Sequence, residues 1–309
     1  MGMNKLQANL CLICVTFLWS TEVIIFACIP DGVSPFATTA ITSLIGAVLL
    51  FLCFFKRILS ELKRGGKRLV LQALLLSALN CSYNVMYQYG LDYFDVSTGA
   101  FTLSMTVVIL PVILLVARKK VGKKTWISAL LVLIGIAFSY IGKIDNINIY
   151  GFLTLVGGCA LRSVYIVKLN DFSREYDPVA ASGLISLFVG VISYIFWFIL
   201  QPSTFASIEW NTQVIASLFI YAYFISAFAQ TLNIFAQRRA DAATATVIYS
   251  LEIVFSLIWG MTMPASLVDP VTPDVFMLIG VAFIILGNLA ETVDISSLRA
   301  KRKGREALG

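Results

Sequence analysis

The stretch Ala129–Phe138, which reads ALLVLIGIAF, decides the fold class of this chain. It carries no charge and no alternation of polar and apolar positions, so it does not fit a transmembrane β-strand, whose inward positions are polar. A helix satisfies its own backbone hydrogen bonds and can cross a bilayer with such a sequence. Because similar runs recur along the chain, we predict an all-α integral membrane protein.

The composition excludes several other classes. Of 309 residues, 59% are hydrophobic and 13% are charged, and the mean hydropathy is +0.88, whereas soluble proteins average about 25% charged residues. The chain has no histidine, the commonest general base and metal ligand. We expect no enzyme activity, no metal and no cofactor. The cysteines lie inside apolar runs, where we expect them to pack, at 11, 14, 28, 53, 81 and 159.

Ten transmembrane helices are predicted from the apolar runs and the turn or charge signals between them. The predicted spans are 7–28, 35–55, 69–91, 96–117, 125–142, 150–169, 178–200, 213–236, 242–263 and 275–294. The first run is longer than the core of a signal peptide and no small-residue cleavage site follows it, so we expect it to be retained.

The positive charges predict the orientation. If both termini are cytoplasmic, 21 of the 23 Lys and Arg residues lie in cytoplasmic segments, and the opposite loops hold only Lys143. This bias is the positive-inside pattern of multi-pass proteins. We expect the protein in the plasma membrane, with both termini cytoplasmic. The net charge of +6 therefore orients the chain beside anionic lipid, and we expect no nucleic-acid partner.

The two halves of the chain share short patterns at nearly constant offsets. Asp95 and Thr98 recur as Asp241 and Thr244, and a Leu-Ile-Gly-x-Ala-Phe motif occurs at 133–138 and 278–283. Each half holds five predicted helices, an odd number, so the second half enters the membrane inverted. We predict repeats at 1–144 and 145–296, followed by a basic cytoplasmic tail at 297–309. Chance similarity among leucine-rich helices is the alternative.

The chain resembles the drug/metabolite transporter superfamily, EamA type, over residues 7–294. Trp19 within Phe-Leu-Trp-Ser and the segment Tyr-Gly-Leu-Asp-Tyr-Phe-Asp-Val-Ser-Thr-Gly-Ala at 89–100 carry the resemblance, together with the duplicated ten-helix pattern. One departure is Arg162, where a tryptophan is common. The resemblance implies a secondary transporter that moves a small organic metabolite by alternating access.

Three charged side chains lie deep in the predicted spans: Glu22, Arg162 and Glu252. A charge near the bilayer centre costs about 2.5 to 3.5 kcal/mol on insertion scales, so such residues are functional candidates. Arg162 and Glu252 lie at similar depths, so a structural ion pair is one interpretation and a transport site the other. Glu22 has no equally placed partner, and it is a candidate proton acceptor or counter-ion to a cationic substrate. Alternatively, its side chain extends toward the outer surface or bonds a neighbouring helix.

Polar side chains line one face of each of two spans. These residues are Asn80, Tyr83, Asn84 and Tyr87 in the third span, and Ser226, Gln230, Asn233 and Gln237 in the eighth. They line a cavity or, alternatively, hydrogen-bond helices together in lipid. Aromatic residues near the same depth, which either contact a flat or cationic substrate or serve packing, are Trp19, Tyr83, Tyr87, Tyr165, Tyr249 and Trp259.

Two helix breakers suggest where the bundle bends. Pro111 interrupts the fourth span and can kink it, and Gly157-Gly158 in the sixth span allows bending or close approach. Rocking about such points would serve alternating access.

The leading hypothesis is a transporter of an amino-acid-like or cationic solute, with protons as a possible coupling ion. The alternatives are an uncoupled exchanger or multidrug exporter of the same fold and, more remotely, an intramembrane enzyme or a non-transporting receptor. The expected partners are a small-molecule substrate, protons and the lipid bilayer, and the chain is expected to be a monomer or a homodimer.

Overall fold

A computed structural model of the chain describes residues 3–29, 33–91, 93, 105–139, 148–205, 208–264, 272 and 274–292. In these ranges the regular structure is helical and no strand occurs. The helices are α1 (Lys5–Ser20), α2 (Glu22–Ala27), α3 (Pro35–Leu91), α4 (Thr106–Val116), α5 (Lys123–Ser139), α6 (Ile149–Glu175), α7 (Pro178–Leu200), α8 (Thr212–Tyr221), α9 (Gln230–Gln237), α10 (Ala242–Tyr249), α11 (Leu251–Thr262) and α12 (Val275–Thr292). A 3-10 turn, Pro202–Phe205, follows α7, and a π-helical segment, Ala222–Ala229, joins α8 to α9.

Several helical stretches are long and apolar enough to cross a membrane, which agrees with the predicted membrane class. Among the described residues there are six, at Pro35–Gly90, Ile149–Glu175, Pro178–Leu200, Thr212–Gln237, Ala242–Thr262 and Val275–Thr292. Lys5–Ser20 and Thr106–Val116 are shorter apolar helices. The predicted count of ten crossings stays a prediction.

Helix α3 illustrates how the sequence breaks a long apolar stretch. Its 57 residues would extend about 85 Å at 1.5 Å per residue, far beyond a hydrocarbon core of about 30 Å. The helical dihedral angles are interrupted at Phe54 (φ −127°, ψ 25°) and at Gly66 (φ 52°, ψ −143°). The positive φ at Gly66 is a conformation that glycine adopts without steric cost. The predicted span 35–55 ends one residue after the interruption at Phe54, and the span 69–91 begins three residues after the interruption at Gly66.

Polar residues before the apolar runs determine where helices begin. The Asn148 side chain accepts hydrogen bonds from the N–H groups of Tyr150 and Gly151. Asp177 accepts from the N–H groups of Val179 and Ala180 in the same way, with Pro178 at the first helical position. These caps satisfy N–H groups that have no partner within the helix.

The repeated Leu-Ile-Gly-x-Ala-Phe motifs pack directly against each other. A Cβ atom placed on Gly135 would lie 2.5 Å from the carbonyl oxygen of Gly280, so α5 and α12 approach at backbone distance. The rings of Phe138 and Phe283 stack with centroids 5.7 Å apart. Small residues permit this approach, and the motif residues of one half meet those of the other. Asp95 and Thr98, which support the same repeat, lie outside the described residues.

The two predicted helix breakers both lie within helices. Helix α4 continues through Pro111 from Thr106 to Val116. Gly157 and Gly158 lie inside α6, where they allow close approach to α3: a Cβ on Gly158 would be 3.4 Å from the carbonyl oxygen of Tyr83.

Candidate functional site

Both deep acids follow a short break in a helix. Glu22 begins α2 directly after Thr21, whose hydroxyl donates to the carbonyl oxygen of Leu18 (2.7 Å). Glu252 lies in the first turn of α11, after Ser250, whose hydroxyl donates to the carbonyl oxygen of Val247 (2.6 Å). Hydroxyl side chains that bond back to the preceding turn bend helices. The local sequence thus places each carboxylate at a discontinuity, as in the broken helices of transporter sites.

Arg162 of α6 and Glu252 of α11 face each other. Their closest nitrogen and oxygen atoms are 3.9 Å apart, and the two side chains are 17% and 34% exposed. That distance is within reach of an ion pair but too long for a hydrogen bond. The predicted pairing is therefore present in a loose form, which leaves the guanidinium and the carboxylate able to bind other groups.

Glu22 has a partner that the sequence interpretation missed. The hydroxyl of Tyr221, at the end of α8, donates a hydrogen bond to the Glu22 carboxylate. The Glu22 charge also interacts with Glu252 and Arg162. The three deep charges therefore belong to one cluster, although they come from three helices.

The π-helical segment explains why Tyr221 was missed. Tyr221 precedes Gln230 by nine residues, which in a regular helix is about two and a half turns and places them on opposite faces. The wider turns of Ala222–Ala229 rotate the chain less per residue, so both side chains bond into the cluster. The same segment also changes the predicted polar face of the eighth span. Ser226, which was predicted to share that face with Gln230, packs instead against Gly46 of α3.

The polar face of α3 lies where the sequence predicted. Asn84 donates to the carbonyl and side-chain oxygens of Asn80 (3.0 and 3.1 Å), and Asn80 donates to the hydroxyl of Tyr83 (3.1 Å). Tyr83 interacts electrostatically with Arg162 and Glu22, and Tyr87 with all three deep charges. These hydrogen bonds run within α3 and orient this face, and Asn80 also interacts with the Tyr165 hydroxyl of α6.

The polar residues of α9 divide into two groups. Gln230 is half-buried and donates to the hydroxyl of Tyr165 (3.1 Å). Asn233 and Gln237 are buried, and both bond the hydroxyl of Tyr249 on α10. The second group supports the alternative that amides join helices, whereas Gln230 remains a candidate for lining a cavity.

Aromatic rings connect the same elements. Trp19 and Tyr249 have centroids 5.2 Å apart, and Tyr83 and Tyr165 have centroids 5.8 Å apart. Trp259 donates from its indole nitrogen to the hydroxyl of Ser20 (3.0 Å), which ties α11 to the end of α1. All twelve predicted site residues therefore belong to one cluster of contacts and charge interactions, which we call the central cluster. Their role in binding stays a prediction.

The chemistry of the central cluster favours an amine-bearing ligand. Two carboxylates and one guanidinium give it a formal charge of −1, and phenol and indole rings border the charges. Carboxylates pair with an ammonium group, aromatic faces attract cations, and a guanidinium binds a carboxylate. Among the described residues, no group of three or more His, Cys, Asp and Glu side chains is arranged to hold a metal ion.

Comparison with known proteins agrees with this architecture. A family model described as the EamA-like transporter family matches residues 6–141 and, again, residues 149–290. A protein of Archaeoglobus fulgidus named as an uncharacterized transporter is 29% identical over 286 residues, which cover 92% of this chain and 87% of that protein. A solved crystal structure aligns with a TM-score of 0.72 at 17% identity, over 96% of this chain and 98% of the other. At that identity, the structural likeness shows a shared fold.

Proposed function

Because this chain belongs to the EamA-like transporter family, we propose that it is a secondary transporter of a small polar solute that carries an amine. The loose Arg162–Glu252 pair beside Glu22 is the observation that carries the proposal. An ion pair in close hydrogen-bond contact would serve to hold two helices together. In a pair held at 3.9 Å, the guanidinium and the carboxylate can each bind a charged group of a ligand instead. The half-buried side chains around it come from several helices, which is consistent with an internal cavity.

An amino-acid-like or cationic solute suits the charges best. The carboxylates of Glu22 and Glu252 would receive the ammonium group, and Arg162 would receive a carboxylate if the solute is zwitterionic. Tyr83, Tyr165 and Tyr249 would contact the rest of the ligand. This arrangement disfavours a phosphorylated anion, because the cluster holds more negative than positive charge.

Proton coupling would involve Glu22. Its carboxylate accepts a hydrogen bond from Tyr221 and interacts with a second carboxylate, Glu252. A site with this charge balance could bind either a proton or the cationic substrate, which is a simple basis for exchanging one for the other. Uncoupled exchange, or export of diverse cations by the same fold, remains the competing function.

Alternating access would occur between two inverted repeats, residues 1–144 and 145–296. The family model matches once in each of these ranges, and the Gly135–Gly280 and Phe138–Phe283 contacts join corresponding positions of the two halves. We assign ten crossings with both termini cytoplasmic, on the positive-inside bias of the loops. Rocking of one half against the other would expose the central cluster to each side in turn.

The experiment is a ligand screen followed by transport. We expect primary amines and α-amino acids, and not phosphates, to raise the melting temperature of the purified protein. The hits are then tested for accumulation in proteoliposomes under an imposed pH gradient. Accumulation above that of empty liposomes supports proton coupling, whereas counterflow without pH-driven accumulation supports uncoupled exchange.

Glu22→Gln tests the residue assigned to coupling. The amide keeps the size of the side chain but cannot take up a proton, so we expect pH-driven accumulation to fall to the level of empty liposomes. Glu209→Gln is the matched control, because Glu209 is exposed and outside the central cluster. Unchanged accumulation in Glu22→Gln would remove Glu22 from the mechanism.

A further inference from the structure

A groove lies on the outer surface of the bundle, and none of its lining residues belongs to the central cluster. It is a groove of about 230 Å³ between α3, α7 and the π segment with α9, lined by Arg57, Val179, Phe228, Leu232 and Phe235 among others. Phe228 and Phe235 are 50% and 42% exposed. An apolar groove on the side of a membrane helix faces acyl chains.

The apolar wall has the length of one lipid chain. Phe228, Leu232 and Phe235 line the groove together, and Arg239 follows Phe235 by four residues, in the turn after α9. Eleven residues at 1.5 Å each extend about 16 Å, close to half of a hydrocarbon core of about 30 Å. The stripe therefore suits the chain of a lipid in a single leaflet, with Arg239 at its polar end.

Arg57 lines the groove, and Arg239 lies four residues beyond the lining residue Phe235. Arg57 donates from Nε and Nη2 to the Asp177 carboxylate (3.0 and 2.6 Å), yet its side chain remains 54% exposed. Asp177 also caps α7, so its charge is shared between the cap and Arg57. Arg239 is exposed and makes no ion pair with a described acidic residue. The ion pair between Arg174 and Asp241 (3.3 Å) shows that Arg239 lies at the same end of the bundle as Asp177.

We propose that this groove binds one anionic glycerophospholipid, with an acyl chain along Phe228, Leu232 and Phe235 and its phosphate between Arg57 and Arg239. The apolar wall would accept any lipid chain. Selectivity for the anionic headgroup comes from the cations, because a choline headgroup carries its own positive charge and cancels the attraction. The site is independent of the transported solute.

Native mass spectrometry of the purified full chain tests the proposal. Phosphatidylglycerol and phosphatidylcholine are supplied at equal concentrations, and the bound lipid is counted. We expect one retained phosphatidylglycerol, bound about fivefold more tightly for each cation that contacts it. Equal retention of the two lipids would overturn the proposal.

Variants locate the bound lipid. Arg239→Gln should reduce the preference for phosphatidylglycerol about fivefold, whereas Lys120→Gln, an exposed cation at the same end of the bundle, should leave it unchanged. Phe235→Ser should weaken retention of both lipids. An equal effect of Arg239→Gln and Lys120→Gln would mean that general surface charge is responsible, and unaltered retention in Phe235→Ser would exclude the groove.

A second copy of the chain is the competing occupant of the groove. Oxidation of a Phe228→Cys variant in lipid vesicles tests for such a dimer, because two copies that meet at the groove would form an intermolecular disulfide. We expect monomers from this variant. Dimer formation at Phe228→Cys that does not occur in a Val191→Cys control, on the exposed surface of α7, would overturn the lipid assignment.

Discussion

Arg162 and Glu252 form an ion pair that is only partly buried and too wide for a hydrogen bond. Removing one member of a buried ion pair leaves an unpaired charge, which costs roughly 3–5 kcal/mol when the pair is fully desolvated. Glu252 keeps 34% of its side chain exposed, so the cost here should be lower. This loose geometry allows the structural and functional interpretations to be separated by experiment.

We expect Arg162→Gln and Glu252→Gln each to lower the melting temperature, and the double variant to recover much of it because no charge is then left unpaired. Ligand-induced stabilisation and transport provide the second measurement. If the residues bind the solute, the double variant stays inactive although it is stable. Recovery of transport together with stability would reduce the pair to a packing role.

At the scale of elements, the π segment Ala222–Ala229 brings Tyr221 to Glu22. A π-helical turn behaves as a local insertion in an α-helix and occurs often at functional sites. A uniform helix over 212–237 would turn the Tyr221 hydroxyl away from the face that carries Gln230. The segment therefore has a specific consequence for the site.

Deleting Phe224, which lies in the π segment and is 44% exposed, should restore regular helical turns and remove Tyr221 from Glu22. We expect a folded protein with impaired transport, measured by counterflow in proteoliposomes. Phe224→Ala is the control, because it removes the side chain and keeps the residue count. If both variants transport equally well, the π segment has no role in positioning the site.

Gly135, in the contact between α5 and α12, and Gly157 of α6 should differ in how much their substitution by alanine destabilises the protein. A Cβ on Gly135 would meet the Gly280 carbonyl oxygen at 2.5 Å, whereas one on Gly157 would meet the terminal methyl of Met86 at the same distance. The Gly280 carbonyl is part of the backbone and cannot move aside, whereas the Met86 side chain can adopt another rotamer. We expect Gly135→Ala to destabilise by about 1–3 kcal/mol and Gly157→Ala by much less, as measured by thermal unfolding in detergent. Similar losses would contradict the close packing of the repeated motifs.

At the scale of the whole molecule, ion pairs fasten one end of the bundle. The Glu61 carboxylate accepts hydrogen bonds from the Arg64 guanidinium and from the N–H of Asp177 (2.9 Å). Arg64 also donates to the carbonyl oxygen of Glu175 (2.7 Å). Glu61 lies between the two predicted spans of α3, so this network joins that connection to the one between α6 and α7.

Acid should weaken this end of the bundle. The hydrogen bonds from Arg64, together with that from Asp177, hold the pKa of Glu61 below its ordinary value. A lowered pKa in the folded state contributes stability that is present above the unfolded value, about 4.3, and is lost as the pH falls through the folded value. We expect Glu61→Gln to lower the melting temperature at neutral pH, with a difference from the natural protein that shrinks below about pH 4.

Glu175→Gln is the control for that measurement. Glu175 forms a more exposed pair with Arg68 at 3.2 Å, and exposed pairs contribute about 0–1 kcal/mol. Its melting temperature should therefore stay close to that of the natural protein at both pH values. A pH-independent effect of Glu61→Gln would contradict the proposed role of its charge.

The sequence by itself determined the membrane class, the family and most residues of the central cluster, but not Tyr221. Hydrophobic runs, helix caps and helical spacing are local properties, so Asn80, Tyr83 and Asn84 could be assigned to one face without coordinates. Deep charges such as Arg162 attract attention in any apolar sequence because burying them is costly.

Only the tertiary structure decided how those residues meet. The Tyr221–Glu22 hydrogen bond joins positions 199 residues apart. It depends on a π segment that the residue pattern did not predict. The 3.9 Å gap between Arg162 on α6 and Glu252 on α11 is set by where those two helices lie in the bundle, because side-chain separation across helices depends on the relative placement of whole elements. Local spacing along one helix carries no information about that placement.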